Sequence, residues 1–433
     1  HGPLPGVLLR RRARGPARER GGAVTVVVIG GGPAGLAAAL ELRRLDTRDV
    51  LVVEREADAG GIPRHARHQG FGLRDLGRPR SGPAYARRYR ELVAESGAEL
   101  RTETMVTGWT PDGPLELTGP GGRESIHPDA VVLATGCRER PRSARLVPGS
   151  RPDGVMTTGT LQQLVYLKGL PVGERALVVG AEHVSFSALL TLAHAGLRTV
   201  GMTTELPRHQ SLGIVAAGAA LRWRMPLWTR TAVTAIHGRP RVEAVELTRL
   251  DGGETRRVEC DTVVFTADWI PDHELAVMGG LEMDQGTLGP SVDAALRTSR
   301  PGVFAAGNLL HGAEPADVAA LSGRHAAAGA AEFVRGSAWP ADRVPIVGEP
   351  PLLWISPNVI ASRAPRPPRG RFALRSTEFA RRPRVQVVQD GRTLWDGQPG
   401  RLVPGRSTKL AHGWKAAVDM GGGPVRVRLV HAG

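Results

Sequence analysis

The sequence predicts an α/β protein with two strand–turn–helix units, each opening on a glycine, and a small all-β module towards its C-terminal end. Three observations predict it. The apolar run Val24 to Ile29 meets Gly30 and is followed by an Ala- and Leu-rich stretch, Ala34 to Arg44. The same succession returns in "ALVVGAEHVSFSALLTLAHAG", Ala176 to Gly196. Beyond residue 372 the pattern changes to short alternating runs, and "RVQVVQDGRTLWDG" reads as strand, Asp-Gly turn and strand.

Composition narrows the classes. A chain of 433 residues allows two or three domains. With 41% apolar residues but only 4% aromatics, the cores must be built from Ala, Val and Leu. No run approaches the ~18 to 20 apolar residues of a membrane span, and no secretory signal is read, so a cytoplasmic protein is expected. The net charge of +15 suggests nucleic acid, but only Lys168, Lys409 and Lys415 are lysines. The arginines are spread along the chain without an aromatic-laced basic stripe, so no nucleic-acid partner is expected. The cluster Arg10 to Arg20 lies in a Gly-, Pro- and Arg-rich stretch that cannot pack, and residues 1–22 read as a disordered leader. Two distant cysteines, Cys137 and Cys260, exclude a disulfide framework, a redox dithiol and a cysteine metal site. No metal is expected.

In the first unit every part has a task. Val24 to Ile29 suits a buried parallel strand. Gly30-x-Gly32-x-x-Gly35 follows at once. Gly30 permits the tight turn, Gly32 lets a pyrophosphate touch the backbone, and Gly35 lets helix and strand pack closely. The helix N-terminus offers free N–H groups and its positive dipole end. Glu54 closes the next strand, 19 residues after Gly35, where an acid can accept hydrogen bonds from a ribose. This is a Rossmann-like dinucleotide-binding unit.

With "VVVIGGGPAGLAAAL", "VVLATG" (Val131 to Gly136) and "TSRPGVFAAGN" (Thr298 to Asn308) in that order, the chain resembles the two-dinucleotide-binding-domain flavoproteins of the pyridine nucleotide-disulfide oxidoreductase class, over roughly Val24 to Phe333. The resemblance implies that the first unit binds FAD. It implies cofactor contacts at Gly30, Gly32, Pro33, Ala34 and Gly35, at Glu54, Arg55 and Gly61, at Val106, and at Ala134, Thr135 and Gly136. It adds Gly307 and Asn308, where the family usually has Gly-Asp, and Asp317 at the start of a helix facing the flavin. Capping is the preferred role for Asp317. The segments "GGIPRHARHQGFGLRDL", "SGPAYARRY" and "ATGCRERPRSARLVPG" are similar to flavoprotein subunits of opine oxidase, hydrogen cyanide synthase and amine or proline dehydrogenases.

The second unit keeps Gly180 but carries Glu182 and Ser185 at the next two glycine positions. Glu182 puts a bulky anion where a pyrophosphate needs bare backbone. Glu205 suits a ribose and Arg208 a 2′-phosphate, so the use of NAD(P)H stays open. The preferred reading is a scaffold that does not use NAD(P)H as its main redox partner.

Chemistry is expected after Glu54. His65 or His68 suits a general base, and Arg64 a bidentate anchor for a substrate carboxylate. Cys137 reads as a packing residue. The implied reaction is oxidation of a small amine, amino acid, opine or hydroxy acid by hydride transfer to flavin N5, with electrons passing to a partner protein, a quinone or O₂. The expected partners are therefore a small-molecule substrate and either an electron-transfer subunit or a second copy of the chain. The alternatives are an NAD(P)H-dependent flavin reductase and a non-catalytic FAD-binding subunit. The expected domains are a discontinuous FAD-binding domain (23–147 and 291–345), an inserted NAD(P)-binding-like domain (148–290), a Pro- and Arg-rich linker (346–371) and the β module (372–433).

Overall fold

The computed structural model describes residues 18–19, 26–111, 113–362 and 364–430. The expected leader lies outside them except for Arg18–Glu19, a two-residue strand parallel to Glu124–Ser125.

The first unit forms as its pattern requires. β1 (Val26–Ile29) is buried along its length and runs into α1 (Pro33–Arg44), then β2 (Val50–Val53). α2 (Gly82–Ser96) and β3 (Glu99–Arg101) follow, then an antiparallel meander over 105–126 and β4 (Ala130–Leu133). Asp75 accepts hydrogen bonds from Tyr85 (2.5 Å) and Tyr89 (2.8 Å), tying the segment before α2 to that helix.

β5 (Cys137–Glu139) leads out of this unit. The second unit contains β6 (Val155–Thr157), α3 (Thr158–Tyr166), β7 (Arg175–Val179), α4 (His183–His194), β8 (Arg198–Thr203), α5 (Gly213–Trp223) and β9 (Leu227–Trp228). A meander over 231–259 and β10 (Thr262–Phe265) complete it. β11 (Trp269–Pro271) returns antiparallel to β5. α6 (Glu274–Met278), β12 (Val303–Ala305) and α7 (Ala316–Val334) then rejoin the first unit. Its parallel sheet has the order β12-β4-β1-β2-β3, and the second sheet β6-β10-β7-β8-β9. Leu275, Ala276 and Leu281 belong to the first unit's core. The chain therefore returns near residue 271, earlier than the expected boundary at 290.

The expected linker over 346–371 is not one. It holds the second half of β13 (Arg343–Gly348) and all of β14 (Leu352–Ser356) and β15 (Val359–Ala361). Its Pro-rich sequence conceals short apolar strands. With β16 (Phe372–Ser376), β17 (Arg384–Gln389), β18 (Arg392–Gly397), β19 (Thr408–Leu410) and β20 (Val425–Val430) they form sheets β15-β13-β20-β17-β18 and β14-β16-β19 around one apolar core. The expected hairpin is present as β17 and β18, its turn at Asp390 (φ 48°) and Gly391 (φ 80°).

Candidate functional site

The first turn lies between the C-terminal ends of β1 and β4. A Cβ on Gly35 would stand 1.8 Å from the Gly30 carbonyl oxygen, and one on Gly30 2.4 Å from that of Ala134. Both positions therefore exclude a side chain. Gly32 differs: its backbone is extended, and a Cβ there would meet nothing within 4 Å. It is the N-cap of α1, with no side-chain cap and no acid in the first turn. The leading N–H groups of α1 thus have no protein anion among the described residues. A pyrophosphate fits this cradle in charge and in shape. Gly60 donates to Gly31 O (2.7 Å), which brings Gly61 against Gly32. Glu54, buried at the end of β2, accepts from Gly31 N (2.8 Å) and Glu56 N (2.9 Å). Gly307 packs against Ala34 from the other side.

The remaining expected contacts are dispersed. Thr135 donates to Asp272 O (2.7 Å), and Gly136 O accepts from Asp272 N (2.9 Å). Arg55 reaches the Asp272 carboxylate at 3.6 Å. Val106 is a core residue of the meander. Asn308 closes its own loop, donating to Glu314 O (3.2 Å) and accepting from Glu314 N (2.9 Å). Asp317 is buried but does not cap α7. Its carboxylate accepts from Arg74 N (3.2 Å) and Arg74 Nη1 (3.0 Å).

The three residues expected to do chemistry make the following contacts. Arg64 donates to Asp58 O (2.6 Å) and to Glu56 (3.3 Å). His65 is buried with Nδ1 3.3 Å from Gln162 Oε1, and Gln162 donates to Ser187 (2.8 Å). Desolvation lowers the His65 pKa, so it serves as a neutral contact between the two units. His68 has Nδ1 2.9 Å from Gln69 O and leans on Phe71. No anchor-and-base pair is assembled here. Cys137 is buried, and desolvation pushes its thiol up to about 12, so it is unreactive near neutrality.

The second turn is arranged differently. Glu182 is the N-cap of α4 and forms a capping box with Ser185. Its carboxylate accepts from Ala181 N (3.0 Å), from Ser185 Oγ (3.0 Å) and from Thr266 Oγ1. A Cβ on Gly180 would stand 2.6 Å from that carboxylate. The Glu182 carboxylate thus lies against the turn that opens α4. Glu139 lies close by, 7% exposed, accepting from Gly159 N (2.7 Å) and Ala267 N (3.2 Å). Burial raises its pKa to about 7, with the Glu182 charge adding to the rise. The C-terminal module also leans on this turn. Gly405 lies against Gln210, whose N–H donates to Ala181 O, and the Arg208 guanidinium sits 4.2 Å from the Phe379 ring centroid. Arg208 is thus turned to an aromatic ring, not held out for a 2′-phosphate.

A cavity of about 390 Å³ lies between the start of α7 and the C-terminal module. Its walls include Arg74, Asn308, His311, Glu314, Arg369, Arg371, Arg406 and Lys409. Sequence reading missed it. Two of its arginines stand in the "PRPPRGR" stretch of the expected linker, and in an arginine-rich chain neither stood out. Behind it His311 stacks on Trp354 (4.3 Å), and Arg375 lies 4.9 Å from the same ring. Burial takes His311 down to about 3 and Arg375 to about 10.

The profile of one family, described as pyridine nucleotide-disulphide oxidoreductase, matches residues 24–323. An opine oxidase subunit of Rhizobium meliloti is 27% identical over 70% of this chain, and the match spans 61% of that relative's length. Thioredoxin reductase of Treponema pallidum is 27% identical over 66% of this chain and 88% of its own. Among solved structures, thioredoxin reductase of T. acidophilum covers 72% of this chain and 98% of its own with a TM-score of 0.60; at 22% identity this likeness speaks for the fold.

Proposed function

The chain belongs to the pyridine nucleotide-disulphide oxidoreductase family and is an FAD-dependent oxidoreductase, and from that premise we propose that its electrons come from a small organic donor and not from NAD(P)H. The donor is an amine, amino acid, opine or hydroxy acid, and the electrons leave to a partner protein, a quinone or O₂. The observation that carries this reading is the Glu182 carboxylate seated on the N-terminus of α4. A pyrophosphate approaching that turn would meet a like charge on the groups it needs, with the C-terminal module beside it. The usual exit in disulfide-reducing relatives is also missing, because the chain has only Cys137 and Cys260, both free and buried. The opine oxidase relative is by name one component of an assembly, which favours electron transfer to a partner protein here.

FAD, when bound, supplies the two-electron acceptor. The residues that would hold it are the N–H groups opening α1, with Gly32 giving access and Glu54 ready for a ribose. The test is anaerobic. The FAD-loaded protein is mixed with NADH and with NADPH while the oxidised-flavin band is followed. Neither should bleach it, while dithionite does. Rapid bleaching by either nucleotide would overturn the reading.

A further inference from the structure

We infer that the cavity between the start of α7 and the C-terminal module binds the oxyanion head of the donor, a carboxylate or a phosphate, which places the substrate between these two parts of the chain. The inference rests on the reading that the donor is a small organic molecule. Five cationic side chains line the cavity against one carboxylate, Glu314. Arg74 is paired with Asp317. Arg369, Arg371, Arg406 and Lys409 make no ion pair among the described residues, and all four face the same cavity. General arginine enrichment does not explain this, since the cations converge on one space from three separate segments. Like charges held together cost energy unless an anion joins them, and the guanidinium fork matches both oxyanions.

Two further observations point to a ligand. His311 lines the same cavity, is only 8% exposed, and its Nδ1 has no hydrogen-bond partner among the described residues. A buried polar atom left so is costly unless a ligand or water satisfies it. The position is also apt, because Gly307 lines the cavity and packs on Ala34 at the opening of α1. The cavity therefore adjoins the cofactor turn.

The experiment uses the FAD-loaded full chain at constant ionic strength. Inorganic phosphate and acetate are titrated separately, with chloride as control, while flavin absorbance and melting temperature are read. Saturable binding of one oxyanion is expected, weakened at least about tenfold in Arg371→Gln and in Lys409→Gln, with FAD content unchanged. Tighter phosphate would indicate a phosphorylated donor, and tighter acetate a carboxylate donor. Three results would overturn the inference: a response no different from chloride, equal binding by both variants, or loss of FAD in step with anion binding. The last would assign the cavity to the cofactor. No turnover is needed, so bleaching by NADH would sink the donor reading alone, and a failed titration would sink the anion site alone.

Discussion

The two dinucleotide turns of this chain are one device in two states. α1 and α4 are both 12-residue helices leaving the end of a parallel strand. α1 opens on Gly32 and keeps its leading N–H groups free of side-chain caps. α4 opens on Glu182, whose carboxylate forms a capping box with Ser185 and takes the Ala181 N–H just ahead of the helix. The dipole and the unsatisfied donors are common to both helices. What differs is the source of the anion. An internal carboxylate stabilises α4 at all times, whereas α1 depends on a ligand for the same compensation. On the proposed reading, a dinucleotide fold persists after its site has closed, because one acidic residue takes over the electrostatic role of the phosphate.

The largest effect should come from making the first turn like the second. Gly32 has φ −81° and ψ −174°, which any residue adopts, and a Cβ there meets nothing within 4 Å. Gly32→Glu should fold and yet lose about a thousandfold in FAD affinity, through like charge and lost backbone approach. FAD titration of the apoprotein measures it, with Gly32→Ala as the control for bulk alone. A Gly32→Glu protein purifying with stoichiometric FAD would break the comparison.

That first turn was legible in the sequence because its constraints are local. Gly30, Gly35 and the strand and helix around them follow from sterics within one short segment, and the Asp390-Gly391 hairpin from turn chemistry. The conflict at Glu182 was also visible, as a charge in the wrong place. Its partners were not. Thr266 and Glu139 reach the turn from distant strands, and Gly405 and Phe379 come from a module whose start was hidden in a proline-rich stretch. The contacts of Arg64, His65 and His68, where chemistry is expected, were hidden for the same reason. Sequence order supplied plausible residue types, but their neighbours Gln162, Glu56 and Asp58 determine what those side chains do. The cationic cavity is assembled from residues far apart in the chain, and an arginine-rich composition removed the contrast that could have marked it.

A smaller effect separates the turns by pH. Glu139 sits beside Glu182 and near Arg145, and its pKa is raised from 4.5 to about 7. A raised acid binds more protons folded than unfolded, so stability falls as pH rises from ~4.5 through ~7 and is flat beyond. The whole loss is about 3 kcal/mol. Glu139→Gln should remove that share of the slope, read as the wild-type-minus-variant difference in denaturant midpoint across pH. An unchanged slope in Glu139→Gln would show that the acid pair at α4 carries no strain.

The smallest effect tests whether Glu182 acts alone. Glu182→Ala removes the N-cap of α4 and should cost about 1 kcal/mol of stability, a few degrees in melting temperature. It should not restore reduction by NADH or NADPH. The carboxylate is one of two obstacles, since Gly405 still lies on Gln210 beside the turn and Arg208 still faces Phe379. Bleaching of the flavin by NADPH in this variant would mean that one side chain separates the open state from the closed one. Stability loss without bleaching would mean that closure is shared with the C-terminal module, which then acts on both units: it supplies cations to the cavity at α7 and covers the turn at α4.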